Sequence, residues 1–316
     1  MSPQLSLLSL LLKLFVKPLL VHVKDPAANR ELLERGARQV FRAPPFTLLR
    51  ESWLEPDLRA VWISARPGSH PVPPDKAVFY IHGGGFIAGS PETHAAMLAR
   101  IARLTGVEIC ALDYRIAPEQ PFPAAWDDVR RGWDALVARG YDPENIVIAG
   151  DSAGGNLALS LLAQLCAEGI KPAGVVGIAP HTDFTFQSPS ILENIDRDTI
   201  LPANRRDDVA RWYLGEADPT DPRASPVYAD FPIAPPPVLL QYAETEILRD
   251  DARRMAEVLR GSGGEVIEHA FQDAPHVFQI FDGWVPEARE ALTEIARFIR
   301  QCLDMADEPS TPPAAS

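Results

Sequence analysis

Two kinds of segment alternate along this chain. Short apolar runs rich in β-branched and aromatic residues stand at Ala60–Ala65, Ala77–Ile81, Glu108–Asp113, Asn145–Ala149, Gly174–Ala179, Val238–Ala243 and Glu265–Phe271. Between most of them lie stretches with helical spacing of apolar residues, at Thr93–Leu104, Ala125–Ala138, Ala153–Ala167, Asp250–Arg260 and Glu287–Leu303. Strands that alternate with helices of this kind form βαβ units, in which the crossover makes the strands parallel and lays helices on the sheet faces. The expected class is therefore α/β, with a mostly parallel central sheet covered on both faces. One stretch breaks the alternation. Between Pro180 and Pro235 no strand is evident, and Asn204–Leu214 reads as a helix carrying Trp212 and Tyr213. That is too long for an ordinary βα connection and reads as an inserted cap.

Composition narrows the function classes. The 43 Asp+Glu outnumber the 30 Lys+Arg, a formal charge of −13, which excludes the basic face that nucleic-acid binding needs. A length of 316 residues allows two domains or one elaborated α/β domain. The three cysteines, Cys110, Cys166 and Cys302, form neither a disulfide framework nor a zinc pattern, so a cytoplasmic home without a bound metal is expected.

The N-terminal run Leu5–Leu20, LSLLSLLLKLFVKPLL, is apolar enough to suggest a signal or a span. It lacks a basic leader region and a small-residue cleavage site, and Lys13 and Lys17 interrupt it. It is also shorter than the roughly 20 residues a bilayer requires. The two lysines share a helix face, which leaves Leu7, Leu8, Leu11, Leu12 and Phe15 to cover something apolar. A docked amphipathic helix is expected, without stable membrane insertion; interfacial lipid contact and a homodimer both stay open. The last residues, 305–316, read as a disordered Pro/Ser/Ala tail.

Two glycine-rich motifs carry chemistry. Gly150-Asp151-Ser152-Ala153-Gly154 matches G-x-S-x-G and lies between a strand signature and a helix signature. A sharp strand-to-helix turn exposes the serine hydroxyl there, and the helix N-terminus supplies N–H donors beside it. Ser152 is the expected nucleophile. Asp151 reads as a surface or cap-contacting residue, since adjacent side chains on such a turn diverge. His82-Gly83-Gly84-Gly85-Phe86 follows the strand Ala77–Ile81. Three consecutive glycines suit a loop whose backbone N–H groups must face a substrate oxygen unshielded, so Gly83, Gly84 and Ala153 are the expected oxyanion donors. His82 and Gly85 are expected to support that loop. No G-K-[ST] follows, which argues against a phosphate loop.

HGGGF at 82–86, DYRIAPE at 113–119 and GDSAGG at 150–155 together resemble the hormone-sensitive-lipase family of α/β-hydrolases, the bacterial family IV esterases. PFPAAWDD at 121–128, Ser225-Pro226, HVFQ at 276–279 and the N-terminal LLSLLLKLFVKPLL extend the likeness to about residues 5–300. The resemblance implies an α/β-hydrolase fold with a helical cap. It suggests N-terminal cap helices over 1–45, a catalytic domain over 46–182 and 233–304, and a cap insertion over 183–232.

Chain order in this fold is serine, acid, histidine. His276 alone lies between the last strand and the final helix, whereas His269 sits within a strand. The family usually shows Asp-Pro-Leu before an acidic pair; aligning Leu248 places Glu246 at the acid, with Glu244 and Asp250 as alternatives. The implied function is a carboxylic-ester hydrolase acting through an acyl-enzyme on a small-molecule ester or lactone, with no cofactor. A non-catalytic receptor on the same fold, an amidase or carbamate hydrolase, and a lipid hydrolase are the alternatives. Phe15, Phe86, Ile87, Phe184, Phe186, Trp212 and Tyr213 stand either in the pocket or in the core.

Overall fold

In a computed structural model that describes residues 1–23, 25–65 and 75–305, eight strands form one sheet. They are β1 (Thr47–Glu55), β2 (Leu58–Ala65), β3 (Ala77–Ile81), β4 (Glu108–Asp113), β5 (Ile146–Asp151), β6 (Gly174–Ile178), β7 (Val238–Ala243) and β8 (Val266–Phe271). Their order across the sheet is β1-β2-β4-β3-β5-β6-β7-β8. From β4 to β8 every pairing is parallel, and β1 and β2 join as an antiparallel edge. All seven expected strands are present. The one not anticipated, β1, buries only Leu54, so its sequence carries no apolar face to read.

The helices are α1 (Pro3–Leu11), α2 (Lys17–Val21), α3 (Pro26–Val40), α4 (Pro91–Thr105), α5 (Ala124–Ala138), α6 (Ala153–Ala167), α7 (Ser190–Glu193), α8 (Arg206–Tyr213), α9 (Arg249–Gly261) and α10 (Pro286–Cys302). Strand pleat divides the core in two. Phe79, Ile81, Ile148 and Leu240 pack with α5, α6 and α9, while Val78, Tyr80, Val147 and Leu239 face α4 and α10. Between β6 and β7 there is no strand; α7, α8 and short turns occupy that excursion. Of the expected tail over 305–316, all but Met305 lies outside the described residues.

At the N-terminus, α1 runs through a π-helical turn at Leu12–Val16 into α2. The run Pro3–Val21 is 19 residues with a mean hydropathy of 1.7, long and apolar enough by composition to cross a membrane. It docks through a face that matches the expected one at Leu8 and Leu12 but not at Leu7, Leu11 and Phe15. Leu5, Leu8 and Leu12 are buried against Phe278, Phe281 and Val285, whereas Leu7, Leu11 and Phe15 are exposed. Lys13 Nζ donates to Asp196 O at 2.7 Å and Lys17 Nζ to Asp198 O at 2.7 Å, so both reach back to the β6–β7 excursion. Leu8→Ala should lower the unfolding free energy by about 2–3 kcal/mol in urea titrations, and Leu11→Ala by less than about 0.5 kcal/mol.

Candidate active site

The carboxyl ends of the parallel strands converge on one point, where the sheet order reverses around β3 and β5. The turn from β5 into α6 holds Ser152 at φ 53° and ψ −117°, a strained conformation for a residue with a side chain. Ser152 N–H is tied to Ile178 O at 2.8 Å, which fixes the turn against β6. Close packing against β3 requires glycine at 154, where a Cβ would stand 2.0 Å from Ile81 O. The serine hydroxyl therefore projects above the sheet at the N-terminus of α6.

Two loops bring partners to it. After β8, His276 places Nε2 2.9 Å from Ser152 Oγ. After β7, Glu246 places Oε2 2.6 Å from His276 Nδ1, while its Oε1 accepts the Ala243 N–H at 2.8 Å. Both His276 and Glu246 are buried. Burial works against charge on His276, but the adjacent Glu246 carboxylate outweighs it and holds the imidazole above its ordinary value. Burial likewise pushes the Glu246 carboxyl up, opposed by His276. The two alternative acids are engaged elsewhere: Glu244 pairs with Arg253 at 2.6 Å and Asp250 with Arg249 at 2.8 Å. His269 pairs with Glu294 at 2.5 Å.

The glycine loop corrects one expectation. Gly83 does not face the serine; its N–H donates to Asp151 Oδ1 at 2.9 Å. A donor already engaged inside the protein is unavailable to a substrate oxygen. Gly84 and Gly85 instead turn through φ of +128° and +62°. Together with Ala153 they line the cavity above Ser152, and among the described residues their N–H groups have no protein acceptor. His82 sits against the same loop: Nδ1 lies 2.9 Å from Gly83 O, and the ring stacks on Tyr114 at 4.3 Å. Burial lowers its pKa to about 4, so it is neutral.

Asp151 is the second correction. It is buried rather than at the surface, accepting from Tyr80 OH at 2.8 Å and lying 3.3 Å from His94 Nε2. Burial opposes both charges, yet their pairing holds Asp151 below the usual carboxylate range and His94 above the usual imidazole value. The side chain does diverge from Ser152, but it diverges into the protein, where an acceptor for Gly83 is needed. Asp151→Ala should therefore lower kcat about 10²-fold, the cost of displacing an oxyanion donor. KM should move less than about threefold, and Asp151→Asn, which keeps the acceptor, should recover most of the rate.

Comparison with known proteins gives the chain a family. A family described as alpha/beta hydrolase fold matches residues 78–280. An esterase of Acinetobacter venetianus is 36% identical over 223 residues, spanning 70% of this chain and 73% of its own. An acetyl-hydrolase of Streptomyces hygroscopicus is 33% identical over 226 residues, 71% of this chain and 75% of that one. The crystal structure of an esterase from the bacterial hormone-sensitive-lipase family superposes with a TM-score of 0.87 and 34% identity, covering 96% of this chain and 99% of that one. The chain belongs to the hormone-sensitive-lipase family of α/β-hydrolases.

This family member is thereby placed among the serine ester hydrolases. Above its serine lies a cavity of about 360 Å³. Phe86, Ile87, Phe186 and Trp212 line it, as the sequence allowed; Phe15 is exposed, and Phe184 and Tyr213 lie in the core against Phe86. The sequence did not reveal that Leu20 and Val23 from the N-terminal segment, and Leu201 and Val209 from the β6–β7 excursion, complete the wall. Arg205 clamps the two segments together, donating to Val21 O at 3.1 Å and to Val23 O. Among the described residues no group of His, Cys, Asp and Glu is arranged to hold a metal.

Proposed function

We propose that this enzyme hydrolyses carboxylic esters of short to medium acyl chains through an acyl-enzyme on Ser152. The observation that carries the reading is the unbroken series Glu246–His276–Ser152, with contacts of 2.6 and 2.9 Å, on the floor of a largely apolar cavity. His276 Nε2 takes the hydroxyl proton as Ser152 Oγ attacks the ester carbonyl. The N–H groups of Gly84, Gly85 and Ala153 receive the developing oxyanion, with Gly83 replaced by Gly85 in that role. His276 then delivers its proton to the leaving alkoxide, and water repeats the sequence on the acyl-enzyme. The N-terminal helices and the β6–β7 excursion serve as a two-piece cap that bounds acyl-chain length. The name of the Streptomyces relative, an acetyl-hydrolase, supports the short end of that range.

A p-nitrophenyl ester series from acetate to palmitate tests the reading. Turnover should peak at short or medium chains and fall steeply where the chain outgrows a cavity of about 360 Å³. Equal rates at every length would refute the proposed cap. The pH profile is a second check. The protonated imidazole cannot accept the serine proton, so kcat/KM should rise with pH through a value above the ordinary 6.5 of histidine.

A further inference from the structure

A second histidine faces the same cavity, and the ester-hydrolysis mechanism leaves it without a task. His181 follows β6, and its backbone N–H donates to Ser152 O at 3.2 Å, which seats it beside the nucleophile. Its ring lies among Phe86, Phe184 and Phe186, with centroid separations of 6.3, 4.5 and 6.0 Å. Behind the ring, Nδ1 stands 3.0 Å from Asp251 Oδ2. That same oxygen accepts the N–H groups of Thr182 at 2.7 Å and Asp183 at 3.2 Å, and Oδ1 accepts Ser188 Oγ at 2.5 Å.

These partners determine where the imidazole proton sits. Backbone N–H groups only donate, so Oδ2 is a pure acceptor and the proton between it and the ring belongs to Nδ1. In the neutral imidazole tautomer that this contact selects, the lone pair is on Nε2. Nε2 has no hydrogen-bond partner among the described residues, and His181 is one of the residues that line the cavity above Ser152. An acceptor fixed in a largely apolar wall favours a ligand that brings a donor.

We propose that His181, held by Asp251, is a specificity-determining residue that selects esters bearing a hydroxyl near the scissile carbonyl. The inference rests on the ester-hydrolase reading of the same cavity and adds a substrate class to it. Asp251 acts only through the ring, as a positioning residue.

Matched esters test it with the full-length enzyme. Ethyl 2-hydroxybutyrate, ethyl 3-hydroxybutyrate and 2-hydroxyethyl butyrate are each compared with the methoxy analogue, which keeps the oxygen and loses the donor. For at least one pair, kcat/KM should favour the hydroxyl ester by about tenfold, the scale of one net hydrogen bond. His181→Phe should reduce that preference to about twofold or less, and His181→Met provides the same ratio if the phenylalanine variant does not fold. Equal kcat/KM within every wild-type pair overturns the proposal without any variant, and so does a preference that survives in the variants. Turnover of plain ethyl butyrate separates the two readings. If it proceeds while the ratios stay flat, only the role of His181 fails; if no ester is turned over, the ester-hydrolase reading fails with it.

Discussion

Replacing Ser152 with alanine should lower kcat by about 10⁴-fold or more, approaching the 10⁶-fold scale seen when an activated serine is removed from such a set. The size of the effect follows from the architecture. Without Oγ there is no acyl-enzyme, and His276 has no proton to accept at 2.9 Å. The N–H groups of Gly84, Gly85 and Ala153 remain, so a residual rate above water should persist. Substrate binding should change little, because most of the cavity wall is formed by side chains that the substitution does not touch. Folding should be intact or slightly improved, since alanine at a φ of 53° carries no more strain than serine. A fluorophosphonate that labels the wild type should fail to label this variant. Unchanged turnover would remove Ser152 from the mechanism.

Replacing Glu246 with glutamine should cost about 10⁴-fold in kcat, the magnitude found when an orienting carboxylate of this kind becomes an amide. The reason lies in the second contact of Glu246. One carboxylate oxygen accepts the Ala243 N–H at 2.8 Å, so a glutamine must keep its carbonyl oxygen there. Its NH₂ group then faces His276 Nδ1, which can only accept from it. The imidazole proton moves to Nε2, the atom that must be bare to deprotonate Ser152. The variant holds the correct geometry with the wrong tautomer. Loss of the carboxylate also removes the group that raises the His276 pKa, so the acid limb of the remaining activity should move to lower pH. Asp250→Asn should stay within about threefold of wild type, because Asp250 is paired with Arg249 and accepts the Ser190 N–H. A larger loss in Asp250→Asn than in Glu246→Gln would transfer the role.

Both experiments concern residues that were legible in the chain itself. GDSAGG between a strand and a helix marks a turn whose chemistry is local, because backbone strain, small neighbours and a helix N-terminus all lie within a few residues. His276 was legible from chain order. Glu246 was legible only through the family pattern, since Glu244 and Asp250 have the same charge within a few residues. What separates them is a partner 30 residues further on, which no local spacing encodes.

The glycine loop shows the limit of local reading. Three glycines indicate that N–H groups must be free, but not which of them. Asp151, 68 residues away, claims the Gly83 N–H and leaves Gly84 and Gly85 facing the cavity. Asp151 itself reads as polar and therefore exposed. Its burial depends on Tyr80 and His94, which come from a strand and a helix that only the sheet topology brings together. The N-terminal helix shows the same limit. Lys13 and Lys17 share a face in the sequence, but the carbonyl oxygens of the β6–β7 excursion to which they donate lie far along the chain.

The sequence by itself determined the α/β alternation and the strand-to-helix turn at Ser152, because each is written in neighbours close in sequence. The tertiary structure alone decided which carboxylate meets His276, which amides remain free, which face of the first helix docks, and that His181 looks into the cavity. Those outcomes depend on hydrogen-bond partners tens to hundreds of residues apart. A buried donor or acceptor is satisfied by whatever the fold places beside it, and local sequence carries no record of that neighbour.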